Sequence, residues 1–148
     1  MRHVRIDPAE GSADRPGEAL CVRHRMSKPA ITVPAGAAVG EALRLMAAHR
    51  IHYLPVVEQS GELTGIVNLD DLLGSRHGRP ALSTTVAAVM SAPAACVSPG
   101  LPLAEAIALM ARHGVGALPV VDNARVVGIL TQSDVVTALA DLGPPAAL

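Results

Sequence analysis

The sequence predicts an α/β (α+β) fold in which two β-α-β-β-α units pack about a pseudo-two-fold axis. Three observations lead there. First, the chain overlays itself when shifted by 64 positions. Met26-Ser27-Lys28-Pro29-Ala30 falls on Met90-Ser91-Ala92-Pro93-Ala94, Glu41-Ala42 on Glu105-Ala106, and Leu45-Met46-Ala47 on Leu109-Met110-Ala111. His49 falls on His113 and Leu54-Pro55-Val56-Val57 on Leu118-Pro119-Val120-Val121. After a one-residue deletion Gly65-Ile66-Val67 meets Gly128-Ile129-Leu130. So many matches in one frame indicate one supersecondary unit written twice. Second, each copy alternates short apolar runs with a stretch of helical period. Third, 50% of the 148 residues are apolar, yet there is no Phe, no Trp and one Tyr, Tyr53. A core of Val, Leu, Ile, Ala and Met suits helices lying on short strands.

The elements follow in order. Residues 30–33 and 94–97 are short apolar runs bounded by proline, read as strands. Residues 38–50 carry Val39, Ala42, Leu43, Met46 and Ala47 at helical spacing, and residues 103–113 repeat this with Leu103, Ala106, Ile107 and Met110. Pro102 suits a first helical turn. Residues 53–57 and 117–121 read as buried strands. Polar turns at 58–62 and 122–125 lead to strands 63–67 and 126–130, a hairpin-like connection. Helices 69–74 and 132–142 close the units. The repeats span 21–74 and 85–142, joined by a linker over 75–84 rich in Gly, Arg and Pro. A Pro/Gly-rich charged arm covers 1–20, expected to be flexible, and a tail covers 143–148. One unit of roughly 50–60 residues is marginal alone, so the two are expected to share buried surface.

Composition excludes several function classes. The formal net charge is −1 and charges are scattered, without the basic stripe that nucleic-acid backbones require. One aromatic residue leaves no base-stacking platform. Cys21 and Cys96 form no CxxC pair, so a structural zinc site is not expected. His49 and His52 share a spacing of i, i+3 but have no third ligand nearby in sequence, so no metal is expected. His77 lies in the linker, and Met46 and Met110 read as core. Residues 1–10 lack the apolar stretch of a signal peptide and no run reaches membrane-spanning length, so a cytoplasmic location without membrane contact is expected. There is no Walker-type loop, GxSxG or HExxH, and nothing assembles a catalytic Ser, His and Asp, so no enzyme is expected.

The ordered motifs, present twice, resemble the cystathionine-β-synthase (CBS) domain, arranged as the tandem pair called a Bateman module. The motifs are Met26-Ser27 and Met90-Ser91 before the first strand, the two Leu-Pro-Val-Val strands, and the closing segments Gly65-Ile66-Val67-Asn68-Leu69-Asp70-Asp71 and Gly128-Ile129-Leu130-Thr131-Gln132-Ser133-Asp134. The resemblance covers about residues 20–140. It implies adenosine-containing ligands (AMP, ADP, ATP or S-adenosylmethionine) bound in clefts between the repeats, and a homodimer in which two pairs form a flat disc.

The resemblance places the chemistry at Thr131-Gln132-Ser133-Asp134. In the family the Asp accepts hydrogen bonds from both ribose hydroxyls, while the hydroxyl residue and the helix N-terminus face phosphate. A carboxylate can bridge a vicinal diol, and a helix N-terminus favours an anion. The same four residues also read as a helix capping box, and both roles can coexist. Carried over, the better site joins Thr131, Ser133, Asp134 and Ile129 to Ala30, Ile31, Thr32, His52 and Tyr53. The backbone of 30–32 would read the adenine edge and His52 would reach phosphate. The other reading makes His52 a surface residue and Tyr53 core. A second, weaker site would join Asn68, Asp71 and Ile66 to Ala94, Cys96, Gly116 and Ala117. There Asn68 replaces the hydroxyl residue, Asp70 adds negative charge, and Gly116-Ala117 offers phosphate no side chain. Tyr53 stands where the family has a basic residue, which argues against tight ATP binding and favours AMP, a weaker nucleotide or a less charged adenosine ligand.

The expectation is therefore a regulatory module that needs no cofactor and binds an adenine nucleotide as a regulatory ligand. Because the two repeats fill the sequence, its output is expected to pass to a separate effector protein. The alternative is a ligand-free dimerisation scaffold in which Asp71 and Asp134 serve as helix-start residues.

Overall fold

A computed structural model describes residues 5–6, 20–74, 78–93 and 95–141. The tail and most of the N-terminal arm lie outside this set. The strands are β1 (Arg5–Ile6), β2 (Val33–Pro34), β3 (Tyr53–Val57), β4 (Leu63–Asn68), β5 (Cys96–Val97), β6 (Ala117–Asp122) and β7 (Arg125–Thr131). The helices are α1 (Val39–His49), α2 (Leu69–Leu73), α3 (Val86–Val89), α4 (Leu103–His113) and α5 (Gln132–Asp141), with a 3-10 turn at Val22–His24.

Two sheets result. In one, β2 pairs parallel with β3 and β3 antiparallel with β4; in the other, β5 pairs parallel with β6 and β6 antiparallel with β7. β1 adds to the outer edge of the second sheet, parallel to β5. Both hairpins carry a register shift at the same place in the repeat, between Val56 and Val57 and between Val120 and Val121. Each parallel pair is joined by a crossover helix, α1 or α4, whose apolar stripe covers its own sheet. Val39, Ala42 and Met46 of α1 and Leu103, Ala106, Leu109 and Met110 of α4 are buried in this way. The mixed α+β architecture with duplicated units is the one expected from the repeat.

The two helices end alike but with different residues. Gly114 stops α4 in the left-handed conformation, φ +62°, as a glycine readily does. The aligned residue after α1 is Arg50, which adopts the same conformation at φ +54°. A side chain is disfavoured there.

The lobes do not coincide with the sequence repeats, because each repeat gives its leading segment to the other lobe. The Val22 and Arg23 N–H groups donate to the carbonyls of Leu101 and Pro99 at 2.9 Å, and Leu103 N–H donates to Leu20 O at 2.8 Å. Val22, fully buried, lies in the core of the second lobe with Val97, Leu101, Leu118, Val120 and Leu130. The mirror exchange is made by residues 84–91. The Val86 and Ala87 N–H groups donate to Ala37 O and Ala35 O, and Val39 N–H donates to Thr84 O. Val86 is buried in the first lobe with Val33, Leu54, Val56, Val67 and Leu72. These bonds satisfy the first N–H groups of α1 and α4, whose N-caps, Ala38 and Pro102, have no capping side chain.

Exchange explains why the first strand is shorter than expected. Residues 30–33 were expected to be extended and paired, but β2 begins at Val33. Ser27 bridges Ile129 in the second lobe, and Val33 pairs with Val56 in the first. Residues 28–32 are the crossing between lobes. They have no neighbouring strand, and Pro29 has no N–H to offer one. Two glycines permit the close approach of the exchanged segments. A Cβ on Gly128 would meet Met26 Sδ at 2.7 Å and Ser27 O at 3.0 Å, and one on Gly65 would meet Met90 Sδ at 2.5 Å and Ser91 O at 3.1 Å. Among the described residues no helix is long and apolar enough to cross a membrane.

Candidate functional site at the seam between lobes

Where residues 27–31 cross the seam, they wall a cleft of about 360 Å³. That volume is within the range of small-molecule sites. Its far wall is the end of β7 and the first turn of α5: Ile129, Thr131, Gln132, Ser133 and Asp134. Its near wall is Ser27, Pro29 and Ile31, closed by Arg50, Ile51, His52 and Tyr53 from the loop between α1 and β3. The lining mixes apolar side chains, among them Ile31, Ile51 and Ile129, with polar ones, and includes one carboxylate, Asp134, and one guanidinium, Arg50.

Asp134 is held in place by four hydrogen bonds. Thr131 N–H donates to its Oδ2 at 2.9 Å, and the Thr131 hydroxyl lies 3.1 Å from the same oxygen. Asp134 N–H in turn donates to Thr131 Oγ1 at 3.3 Å, which makes the capping box reciprocal. The other oxygen, Oδ1, accepts from the Ser27 hydroxyl at 2.9 Å, a contact between residues 107 positions apart. Ser27 is itself positioned by main-chain bonds in both directions with Ile129, at 2.9 and 3.1 Å. A second tie between exchanged segment and helix is the ion pair of Arg25 with Asp141 at the end of α5.

Tyr53 crosses the seam to pack on Gly116. A Cβ at Gly116 would overlap the Tyr53 hydroxyl and lie 2.9 Å from Cζ. Gly116 O also accepts from Gln132 N–H at 3.0 Å, so the residue that receives Tyr53 anchors the start of α5.

The residues singled out in the sequence are distributed as follows. Ile31, His52, Tyr53, Ile129, Thr131, Ser133 and Asp134 face one cleft. Ala30 and Thr32 belong to the crossing segment but do not line it. In the second candidate set, Ala94 lies outside the described residues. Cys96 is 1% exposed and packs with Leu63 and Val121, so it presents nothing to a ligand. Ala117 is likewise buried. The space over Gly116 is filled by Tyr53. Asn68 caps α2, its Oδ1 accepting from Asp71 N–H at 2.8 Å. The Asp71 carboxylate takes no hydrogen bond from the described residues, unlike Asp134.

Five lining residues were given no site role by sequence reasoning: Ser27, Pro29, Arg50, Ile51 and Gln132. Arg50 corrects the expectation that the cleft lacks a basic group. The signal was present in the repeat, where Arg50 occupies the position of the helix-ending Gly114. Ser27 could have been found as the companion of Met26 in the duplicated Met-Ser pair. Its distance from Asp134 in sequence hid the contact.

Comparison with known proteins agrees with this architecture. The family model of the CBS domain matches residues 22–78 and 86–141. The chain is 36% identical over 115 residues to the CBS domain-containing protein YhcV of Bacillus subtilis, covering 76% of this chain and 81% of that protein. It is 27% identical over 134 residues to L-aspartate semialdehyde sulfurtransferase of Methanocaldococcus jannaschii, covering 88% of this chain but only 26% of that protein's length. The CBS domain pair of protein MJ0100, crystallised with 5′-methylthioadenosine and S-adenosyl-L-methionine, superposes with a TM-score of 0.74 at 26% identity, over 84% of this chain and 99% of that one. CBSX2 in complex with AMP superposes with a TM-score of 0.72 at 25% identity, over 85% of this chain and 100% of that one. With both repeats matched by the family model and the lobes superposing on solved CBS pairs, the chain belongs to the CBS domain family.

Proposed function

We propose that this chain is a regulatory module that binds an adenosine-containing ligand in the cleft that contains Asp134, with AMP favoured over ADP, ATP or S-adenosylmethionine because a single guanidinium, Arg50, lines the cleft among the described residues. The observation that carries this reading is the placement of an oriented carboxylate, two apolar side chains and one guanidinium around a single seam cleft. Asp134 would accept from the ribose, Ile31 and Ile129 would sandwich the base, and Arg50 with His52 and the α5 N-terminus would face phosphate. The complexes of MJ0100 with 5′-methylthioadenosine and S-adenosyl-L-methionine and of CBSX2 with AMP support the adenosine class. A ligand touching both walls can bias the angle between lobes only through its different affinity for the two arrangements.

The same reading includes self-assembly into a homodimer that signals to a separate effector protein. Val136 and Leu139 on α5 and Leu73 on α2 are large apolar side chains left more than half exposed. Val136 also lines an apolar groove with Ile107, Met110, Val115 and Val135. Exposed apolar surface of this kind marks an association face.

The scaffold alternative draws on the capping bonds of Asp134, which by themselves would suffice for a structural role. Calorimetry with AMP, ADP, ATP and S-adenosylmethionine on wild type and Asp134→Ala separates the two. Saturable binding that the variant loses supports the nucleotide site. Absence of binding, with no thermal shift on ligand addition, supports the scaffold.

A further inference from the structure

The hydrogen-bonding capacity of Asp134 has a consequence for sugar recognition. A carboxylate offers about four acceptor positions, two on each oxygen. Both on Oδ2 face Thr131, whose N–H lies at 2.9 Å and hydroxyl at 3.1 Å. One on Oδ1 is taken by the Ser27 hydroxyl at 2.9 Å. A single position on Oδ1 remains. Asp134 alone therefore cannot accept from both hydroxyls of a ribose unless an existing bond breaks. The Ser27 oxygen, by contrast, uses its proton on Asp134 and keeps both lone pairs.

We infer that Ser27 is a sugar-binding and specificity-determining residue of this cleft: one ribose hydroxyl donates to Asp134 Oδ1 and the other to Ser27 Oγ, which continues to donate to Asp134. This arrangement adds two hydrogen bonds and breaks none. It requires Ser27 to stay beside the carboxylate, and the paired main-chain bonds to Ile129 hold it there. The cleft would thereby distinguish a ribose from a deoxyribose through a residue contributed by the exchanged segment. The chemical class of ligand is an adenosine with both ribose hydroxyls free.

The inference rests on the proposed nucleotide function. Its test is calorimetry of the full chain with AMP, 2′-deoxyAMP and 3′-deoxyAMP, on wild type, Ser27→Ala and Ser27→Thr. Wild type is expected to bind AMP more tightly than at least one deoxy analogue. Ser27→Ala should weaken AMP about three- to tenfold, the range for one hydrogen bond, and erase that preference, because the Oδ1 position it vacates points at the lost hydroxyl and not at the sugar. Ser27→Thr, which restores a hydroxyl, should restore it. Because the bonds to Ile129 are main-chain, the alanine variant should keep its thermal transition. If Ser27→Ala binds AMP as tightly as wild type or more tightly, the assignment to Ser27 is overturned while the nucleotide function stands. An equal loss for all three ligands would also overturn it, since a merely structural role has that signature. If wild type binds none of the three, the nucleotide function and this inference fall together.

Discussion

The Tyr53 ring of the first repeat occupies the space that a side chain on Gly116 of the second repeat would fill. This contact fixes one end of the seam cleft, because Gly116 also holds the first N–H of α5 through its carbonyl.

Gly116→Ala is therefore expected to destabilise the chain by about 1–3 kcal/mol, the usual cost of overpacking a closed contact. Exchange of Tyr53 for leucine in the same chain should recover part of the loss by vacating the space. The midpoint of urea denaturation measures both effects. Equal midpoints for Gly116→Ala and wild type would show that Tyr53 swings aside freely.

Arg50 joins a backbone cost to a charge. In its left-handed conformation a glycine should be more favourable, as Gly114 is at the aligned helix end. Arg50→Gly is expected to stabilise the fold by about 0.5–1 kcal/mol. The same change removes the cleft's guanidinium, so AMP affinity should fall about tenfold, while adenosine, lacking phosphate, is unaffected. Thermal unfolding and calorimetry read the two effects separately. A drop in stability would contradict the conformational argument, and an unchanged AMP affinity would remove Arg50 from the phosphate site.

Asp134 and Asp71 occupy matching places but carry different bonds. Asp134→Ala removes acceptors for Thr131 and Ser27 and should cost about 1–2 kcal/mol. Asp71→Ala removes none among the described residues, and the Asn68 cap survives because it uses the Asp71 N–H. Its cost should stay within about 0.5 kcal/mol, as for an ordinary surface substitution. Chemical denaturation of the two variants tests the asymmetry.

The exchange of leading segments predicts which lobe each segment supports. Val22→Ala and Val86→Ala each remove two buried methyl groups, worth roughly 1.5–3 kcal/mol with the cavity included. Hydrogen exchange should show Val22→Ala weakening protection chiefly in β6 and β7, and Val86→Ala chiefly in β3 and β4. The reverse pattern would mean that each segment supports its own repeat.

Charge placed on the apolar face of α5 should block association. Val136→Asp with Leu139→Asp alters side chains that are 64% and 54% exposed, so the fold should tolerate it. Light scattering should show a dimer for wild type and a monomer for the double variant. Equal masses would exclude this face from the interface.

The duplication, the order of the elements and the capping motif at Thr131–Asp134 were legible because each is written locally. A repeat is a comparison of the chain with itself, and helical or strand period reports which side of an element is buried. The hairpins and crossover helices followed with ends within a residue or two. The 3-10 turn at Val22–His24 and the single-turn α3 were not legible, because three or four residues are too few to display a period. The first strand was overextended because its apolar residues, Ile31 among them, face a seam instead of a paired neighbour.

The sequence alone determined that two similar units share this chain and that an acidic residue lies in the first turn of the last helix of each. Only the tertiary structure decided which segments belong to which lobe, that Ser27 meets Asp134, that Arg50 enters the cleft, and that Tyr53 fills the space over Gly116. Local pattern records how deeply a residue is buried but not against what. Partners 107 positions apart, such as Ser27 and Asp134, are chosen by chain crossing and close packing, which no neighbouring residue encodes.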